Sequence, residues 1–293
     1  MIGGHRRYAL FIGRWQPFHN GHKYIIDQAL KSGKNVCIAI RETEISEHNP
    51  FNMEQRMEMI RRVYGDKVKI VDIPDIESVN IGRKVGYKII RYDAPEEIKK
   101  VSATKIRAGK DKSLPKPVAE YIRKLKTTLW LTGLPCSGKS TLAKRIKEEL
   151  DSRGFKTVYF DADDVRGRLN ADLGFSEKDR TENLRRIAHV SKLFNDNGIF
   201  VIASFVSPNE KMRRLIKKII GNMKLVYVKC NVKTCEKRDV KGMYKKARQG
   251  LISDFTGVSA PFEPPKHPLV VVDTAKHSVE RCVQEILEKG ELL

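Results

Sequence analysis

The sequence predicts an α/β protein of two Rossmann-like, parallel-sheet domains. Three observations carry that expectation. A chain of 293 residues exceeds most single cores, which run to roughly 100–200 residues per domain. Short apolar runs rich in β-branched residues alternate with helix-like amphipathic segments, the pattern of a parallel sheet. That alternation stops near residue 125 and then starts again.

Taken in order, the first half reads as the strand YALFIGR, a helix from about Lys23 to Ser32, the strand NVCIAIRE, a helix opening near Asn52, and the strand KVKIVDIP. After VSATKIRAGK, Pro115 and Pro117 open one amphipathic helix in SLPKPVAEYIRKL, and TTLWLTGL begins a fresh strand. The expected boundary therefore separates 1–124 from 125–293. The second half continues with a helix Lys139–Ser152, the strand KTVYFDAD, a long helix through TENLRRIAHVSKLFNDNG, and IFVIASF. A helix Glu210–Ile220, KLVYVKC, a polar segment, PLVVVDT and a terminal helix follow. The two halves share no clear repeat.

Composition narrows the function classes. No apolar run approaches the roughly 18–20 residues that span a bilayer, and the start, MIGGHRRYALFIGRWQPF, lacks a small-residue cleavage site, so neither a membrane span nor a signal peptide is expected. Cys37, Cys136, Cys230, Cys235 and Cys282 are scattered and form no CxxC pair, which argues against a disulfide framework or zinc ribbon and for a reducing cytoplasm. A net charge of +21 calls for anionic partners: nucleic acid, a membrane surface or small polyphosphates. Lys and Arg are spread along the chain without a basic tail or an aromatic RNA-binding pattern. Small-molecule nucleotides are therefore the expected partners, with no specific nucleic acid and no membrane; a basic nucleotide- or nucleic-acid-binding regulator is the alternative of another class.

GLPCSGKST follows a strand and opens a helix, which is the setting of a phosphate-binding P-loop. Gly133, Cys136, Ser137, Gly138, Lys139, Ser140 and Thr141 are its candidate ATP-binding residues. Backbone amides and the helix start hold phosphates, Lys139 reaches the β/γ oxygens, and the Ser140 hydroxyl can ligate Mg²⁺. ATP or GTP with Mg²⁺ is the expected ligand. The next strand ends in FDADDVRGRLN, where Asp161, Asp163, Asp164 and Arg166 cluster at the C-terminal edge of the sheet. A carboxylate there can deprotonate a hydroxyl acceptor, and an Asp can equally cap a helix start.

These blocks carry a resemblance. GLPCSGKST, DADDVRGRLNADLGFSEKDRTENLRR, ASFVSP and KRDVKGMYKKARQGLISDFTGVSAPFE resemble, in order and spacing over residues 127–293, the adenylylsulfate (APS) kinases of sulfate assimilation. Those enzymes phosphorylate the 3′-hydroxyl of APS to give PAPS. The resemblance implies Asp163 as the acceptor-site carboxylate, Asp161, Arg166, Arg180 and Asn183 as acceptor-binding residues, and Phe175 with Phe255 as a stacking pair for adenine. Ordinary core packing is the plain alternative for either ring. Ser207 matches a serine sometimes assigned as a phosphoserine intermediate, which in-line transfer does not need. KGMYKKARQG looks like a lid, and a homodimer is implied because such kinases are often dimers. The family's usual DGDN is DADD here, and the extra carboxylate Asp164 works against a sulfate-bearing acceptor.

GRWQPFHNGHK places His19 and His22 around a glycine. Zinc would want a third ligand, and His48 and Glu47 are only loose candidates. The Asn-Gly step marks a turn that feeds a helix, so a cradle for triphosphate is the better reading. This stretch, with NPFNMEQRMEMI and VSATKIRAG, resembles the HxGH nucleotidyltransferases over about residues 6–124, closest to nicotinamide-mononucleotide (NMN) adenylyltransferases of the archaeal type. It implies an NTP site of Gly13, Arg14, His19, His22 and Lys23, closed by Thr104, Lys105 and Arg107. SVNIGRKVGYKI stands where a longer acceptor-recognising segment is expected, so NMN, a cytidylyl acceptor and sulfate all stay open. The combined expectation is a bifunctional enzyme whose first site makes a nucleotide conjugate for the second to phosphorylate.

Overall fold

The computed structural model describes residues 7–80 and 88–292. The first six residues, and residues 81–87 of SVNIGRKVGYKI, which stands where a longer acceptor-recognising segment is expected, lie outside that description. The chain divides into two compact units, residues 1–122 and 123–293.

The first unit contains β1 (Tyr8–Gly13), α1 (Asn20–Lys31), β2 (Asn35–Arg41), α2 (Met53–Tyr64), β3 (Val68–Ile73), α3 (Glu96–Lys99) and α4 (Ala103–Arg107); α5 (Lys116–Leu125) leads out of it. Its sheet is parallel in the order β1-β2-β3, with Tyr8 beside Asn35 and Val36 beside Val68. The central strand β2 is buried from Val36 to Ile40, as an unbroken run of apolar residues requires. Helix α1 starts three residues before its expected start. His19 occupies the N-cap, where its Nδ1 accepts from the His22 amide at 3.3 Å, and His22 Nδ1 accepts from the His19 amide at 3.4 Å. The expected Asn-Gly turn is thus the first helical turn, capped by two histidines in place of the usual Ser, Thr, Asp or Asn. Helix α2 opens where expected, with Asn52 and Gln55 capping each other.

The second unit runs β4 (Thr128–Thr132), α6 (Lys139–Ser152), β5 (Thr157–Asp161), α7 (Ala162–Gly167), α8 (Glu177–Asp196), β6 (Phe200–Ser204), α9 (Glu210–Ile220), β7 (Met223–Lys229), α10 (Val232–Lys237), α11 (Met243–Arg248), β8 (Val270–Asp273) and α12 (Val279–Lys289). Its five strands are all parallel in the order β5-β6-β4-β7-β8. β4 and β6 are fully buried, and Trp130, Ile187, Ala188, Phe205 and Ile216 pack in the core on one face. The chain leaves β4 for β5 on one side and later returns to β7 on the other. Such a switch point opens a crevice at the strand's C-terminal end.

Helices α6 and α9 have the expected bounds. Helix α8 begins four residues early, since Ser176 caps it by accepting from the Asp179 amide at 3.1 Å. The supposedly polar segment after β7 holds α10 and α11, each too short for a readable period. Asn231 caps α10 through the Thr234 amide, and Asp239 accepts from the amides of Met243, Tyr244 and Lys245 at the start of α11.

Candidate functional sites

In the second unit the P-loop turns sharply between β4 and α6. Gly133 has φ +155°, and a Cβ there would lie 2.4 Å from the Val228 carbonyl, so only glycine fits. Gly138 (φ +93°) caps α6 without a side chain, which leaves the first amides of a 14-residue helix facing the loop. Lys139 bends over that loop, donating to the carbonyls of Leu134 at 2.7 Å and Gly133 at 3.1 Å. Burial pushes its pKa down to about 8, so it stays cationic at neutral pH.

The Ser140 hydroxyl donates to Asp161 Oδ2 at 2.7 Å; Tyr159 (2.5 Å) and Ser204 (3.3 Å) donate to the same oxygen, and Asp161 Oδ1 caps α7 through the Asp163 amide at 3.0 Å. Burial works against this carboxylate's charge, but the hydrogen bonds from Tyr159, Ser140 and the Asp163 amide outweigh it and hold the group below the usual range. Asp161 therefore belongs to the phosphate end, joined to Ser140. A serine hydroxyl and a carboxylate at a P-loop helix start are hard oxygen donors of the kind Mg²⁺ takes, with nucleotide phosphates and water completing its shell. Among the described residues no group of three or more His, Cys, Asp or Glu could hold a metal alone.

A cleft of about 470 Å³ adjoins the loop, lined among others by Gly138, Ser140, Thr141, Arg238, Thr274 and His277. Thr274 donates to the Ser137 carbonyl at 2.8 Å, and Arg238 grips Thr274 in turn. Cys136 (φ +59°) places its thiol 4.0 Å from Asp239, and burial, then Asp239, raise its pKa.

Beyond β5, on α7, Asp163 is exposed and its Oδ2 lies 2.5 Å from the Nζ of Lys241, which belongs to the segment expected as a lid. That segment is anchored at Tyr244, which is 1% exposed and donates to the P-loop carbonyl of Pro135 at 3.1 Å. Arg166 donates to the Gly174 carbonyl at 2.8 Å and stacks 4.4 Å from the centre of the Phe175 ring, which is 63% exposed. Arg180 donates to the carbonyls of Phe175 and Asp254 and to Thr256 Oγ1. It thus links the loops that carry Phe175 and Phe255. Phe255 itself is buried edge-on against Tyr244. Arg180 and Asn183 share helix α8, but the Asn183 amide is buried and accepts from Asn170 at 2.8 Å.

Ser207 (φ +38°) is 2% exposed; its hydroxyl accepts from Trp130 Nε1 at 3.2 Å and donates to Thr132 Oγ1 at 2.9 Å. Both of its hydrogen-bonding functions are engaged inside the sheet. Arg213, also 2% exposed, donates to the Ser207 carbonyl at 2.8 Å and to Glu210. Tyr159, Ser204, Asp239 and Arg213 were not legible as site residues, because each acts through a side-chain bond that no motif or period marks.

In the first unit the two histidine rings stack at 3.6 Å between centroids. Each Nδ1 is an acceptor, so each ring proton sits on Nε2. Burial lowers the His19 pKa to about 4, against the pull of Asp111; burial and the neighbouring His19 lower His22 to about 3. Both are neutral Nε2–H donors at pH 7. Gly21 leaves room between them, since a Cβ there would lie 3.0 Å from the His19 ring and would push it by a few tenths of an ångström, and Gly13 clears the Trp15 ring, which a Cβ would approach to 2.9 Å. Arg107 donates to the Gln16 carbonyl at 2.6 Å and to Thr104 at 3.2 Å, which fixes α4, with Lys105, to the strand-turn loop. The Arg56 guanidinium, 1% exposed, donates to the carbonyls of Arg14 (3.0 Å), Arg41 (2.8 Å) and Asn52 (3.2 Å). Gln16 exchanges two hydrogen bonds with the Phe51 backbone. Lys23 pairs with Asp27, which also accepts from Tyr64.

The adenylylsulphate kinase family model matches residues 125–273. The chain belongs to the adenylylsulphate kinase family. A cytidylyltransferase-like model matches residues 10–161, so a nucleotidyltransferase-like domain precedes the kinase; the overlap, 125–161, forms β4, α6 and β5 of the five-stranded sheet. An adenylyl-sulfate kinase of Bacteroides thetaiotaomicron is 52% identical over 162 residues, 55% of this chain and 81% of the relative. A probable adenylyl-sulfate kinase of Bacillus subtilis is 45% identical over 174 residues, 58% of this chain and 88% of its own length. Among solved structures, a Mycobacterium tuberculosis APS kinase in complex with AMPPNP and APS is 39% identical, with a TM-score of 0.55, and covers 56% of this chain and 97% of that one. As a family member this protein is an ATP-using kinase with nucleotide substrates. No described helix is long and apolar enough to cross a membrane.

Proposed function

We propose that the kinase, spanning 125–293, transfers the γ-phosphate of ATP to the 3′-hydroxyl of APS, making PAPS. The observation that carries this reading is the placement of Asp163, an exposed carboxylate on the helix capped by Asp161, whose side chain holds Ser140 of the P-loop. In this reading the P-loop amides and Lys139 hold the β- and γ-phosphates, and Asp163 orients the acceptor hydroxyl and takes its proton. Ser140 would hold Mg²⁺ with Asp161 behind it, and the ion would neutralise charge on the phosphates. Arg166 and Phe175 offer a flat cationic and aromatic platform to the acceptor base. Transfer is direct, since the Ser207 hydroxyl is buried and engaged. Asn183 and Phe255 would shape the acceptor pocket from behind.

The first domain, spanning 1–124, would transfer a nucleotidyl group from an NTP to a phosphate or sulfate acceptor. Arg14, Lys23, Thr104, Lys105 and Arg107 would surround the triphosphate while the Nε2–H groups of His19 and His22 donate to departing pyrophosphate. No covalent intermediate is needed; positioning and charge stabilisation suffice. The second reading, favoured by Asp164 beside the acceptor, is that a cytidylyl or NMN-adenylyl conjugate other than APS is phosphorylated. Five unpaired thiols support a cytoplasmic setting; a homodimer rests on the resemblance alone.

The test offers ATP and Mg²⁺ with APS, and separately ATP or CTP with NMN, sulfate or phosphorylated alcohols while pyrophosphate is followed. Absence of PAPS, with phosphorylation of another nucleotide, would sink the APS assignment. Asp163→Ala should abolish phosphoryl transfer and spare pyrophosphate release.

A further inference from the structure

Three hydroxyls converge on one atom of the kinase site. Asp161 Oδ2 accepts from Tyr159 at 2.5 Å, from Ser140 at 2.7 Å and from Ser204 at 3.3 Å, and Tyr159 and Ser204 are 2.8 Å apart. Tyr159 lies two residues before Asp161 on β5, so both side chains stand on one face of the strand. Ser204 comes from the neighbouring β6, where it pairs in register with Asp161.

The consequence lies at Ser140. A hydroxyl has one proton and two lone pairs; with the proton committed to Asp161, the lone pairs are left to face a cation. The carboxylate can hold that proton in one direction only if it is itself fixed. Its other oxygen caps α7, and rotation about its terminal torsion is resisted at Oδ2 by Tyr159 and Ser204. A phenol is the stiffer of these two props, because it reaches Asp161 on a flat ring anchored in the strand.

We propose that Tyr159 is a positioning residue for the divalent cation of the kinase, acting through Asp161 to aim the lone pairs of Ser140, with Ser204 as the lesser support. This rests on the reading that Ser140 ligates the Mg²⁺ that accompanies ATP. Outer partners of this sort alter metal affinity by roughly 10- to 100-fold when removed. Tyr159→Phe keeps the ring and its packing and deletes only the hydroxyl.

The experiment uses the full chain and Mn²⁺ as the probe. Electron paramagnetic resonance titrates Mn²⁺ into protein saturated with AMPPNP, and Mg²⁺ dependence of phosphoryl transfer is measured in parallel. Tyr159→Phe should weaken Mn²⁺ in the protein–nucleotide complex about tenfold and shift half-saturation by Mg²⁺ by a similar factor. Ser204→Ala should shift both less, and turnover should recover at saturating metal. Unchanged Mn²⁺ affinity in Tyr159→Phe, with Ser140→Ala clearly weakened, would overturn the role of Tyr159 and leave the Ser140 reading intact. If Ser140→Ala is also unaffected, the reading beneath it fails instead. Should Tyr159→Phe not fold, Ser204→Ala alone decides: no shift in Mn²⁺ affinity overturns the proposal.

Discussion

Replacing Arg213 by Met tests whether a buried cation outside the P-loop organises the kinase. The Met fills most of the volume and removes every donor. Arg213 is 2% exposed and gives hydrogen bonds to the Ser207 carbonyl at 2.8 Å and to Glu210 at 3.0 and 3.2 Å. Orphaning a buried carbonyl costs about 1–3 kcal/mol. The low half of that range applies, because Thr132 Oγ1 stands 3.4 Å from the same oxygen. Breaking a fully buried ion pair costs about 3–5 kcal/mol, but Glu210 is 23% exposed and can rehydrate, so about half of that is the better figure. Together these give about 3 kcal/mol, which in a unit of this size, at about 2–4 °C per kcal/mol, lowers its melting temperature by about 6–12 °C. Calorimetry of the full chain measures it, the kinase transition being the one that ATP raises. The acceptor KM should rise as well, since the Phe205–Pro208 loop loses its anchor. Arg213→Lys, which keeps the charge and can donate, should fall between. A drop of less than about 2 °C in Arg213→Met would refute the reasoning.

Two further outcomes concern the first unit. His19 and His22 are pushed from 6.5 to about 4 and about 3, so on acidification the unfolded chain takes up protons first. Stability should be complete above pH 6.5, decline as pH falls towards 4 and 3, and decline less in His19→Asn, which keeps a helix cap; denaturant melts from pH 4 to 8 check this, and equal slopes would contradict it. Gly21→Ala gains about 1 kcal/mol of helix propensity and loses about as much at the displaced His19 cap. Its melting temperature should therefore barely move while pyrophosphate release drops at least about tenfold, because shifting the imidazole a few tenths of an ångström spoils its aim.

What was legible in the sequence is what is local. The P-loop is a run of nine residues whose glycines and helix start carry their own geometry, and helix Lys139–Ser152 was readable to its ends. The start of α1 was not, because Nδ1 of a histidine is an unusual cap and its reciprocity with His22 appears only once the turn is folded. Asp161 was grouped with the acceptor residues, whereas its side chain bonds to Ser140 of the P-loop, a contact that depends on how β4 and β5 deliver their ends. Phe175 and Phe255 look alike in sequence, yet one is exposed and the other sits against Tyr244. Tyr159 and Arg213 belonged to a strand and a helix pattern, with nothing local to separate them from ordinary members.

The way the site cations are held explains how so basic a chain can keep its charge available. Lys139 bonds to the carbonyls of Gly133 and Leu134, Arg107 to that of Gln16, Arg166 to that of Gly174, Arg180 to those of Phe175 and Asp254, and Arg56 to three carbonyls of its loop. A carbonyl satisfies a donor and fixes its direction without cancelling its charge, so each guanidinium or ammonium keeps its positive charge in place. A carboxylate partner does the opposite. Apart from the buried Arg213, which pairs with Glu210, two of these cations have one, Lys23 with Asp27 and Lys241 with Asp163, and both pairs are partly or largely exposed, where such contacts are worth little and are readily exchanged. An arriving nucleotide would therefore meet two classes of cation: those set in place beforehand by backbone, and two lysines that must change partner. For Lys241 that exchange has a chemical result, since the carboxylate it leaves is the one assigned to take the acceptor's proton.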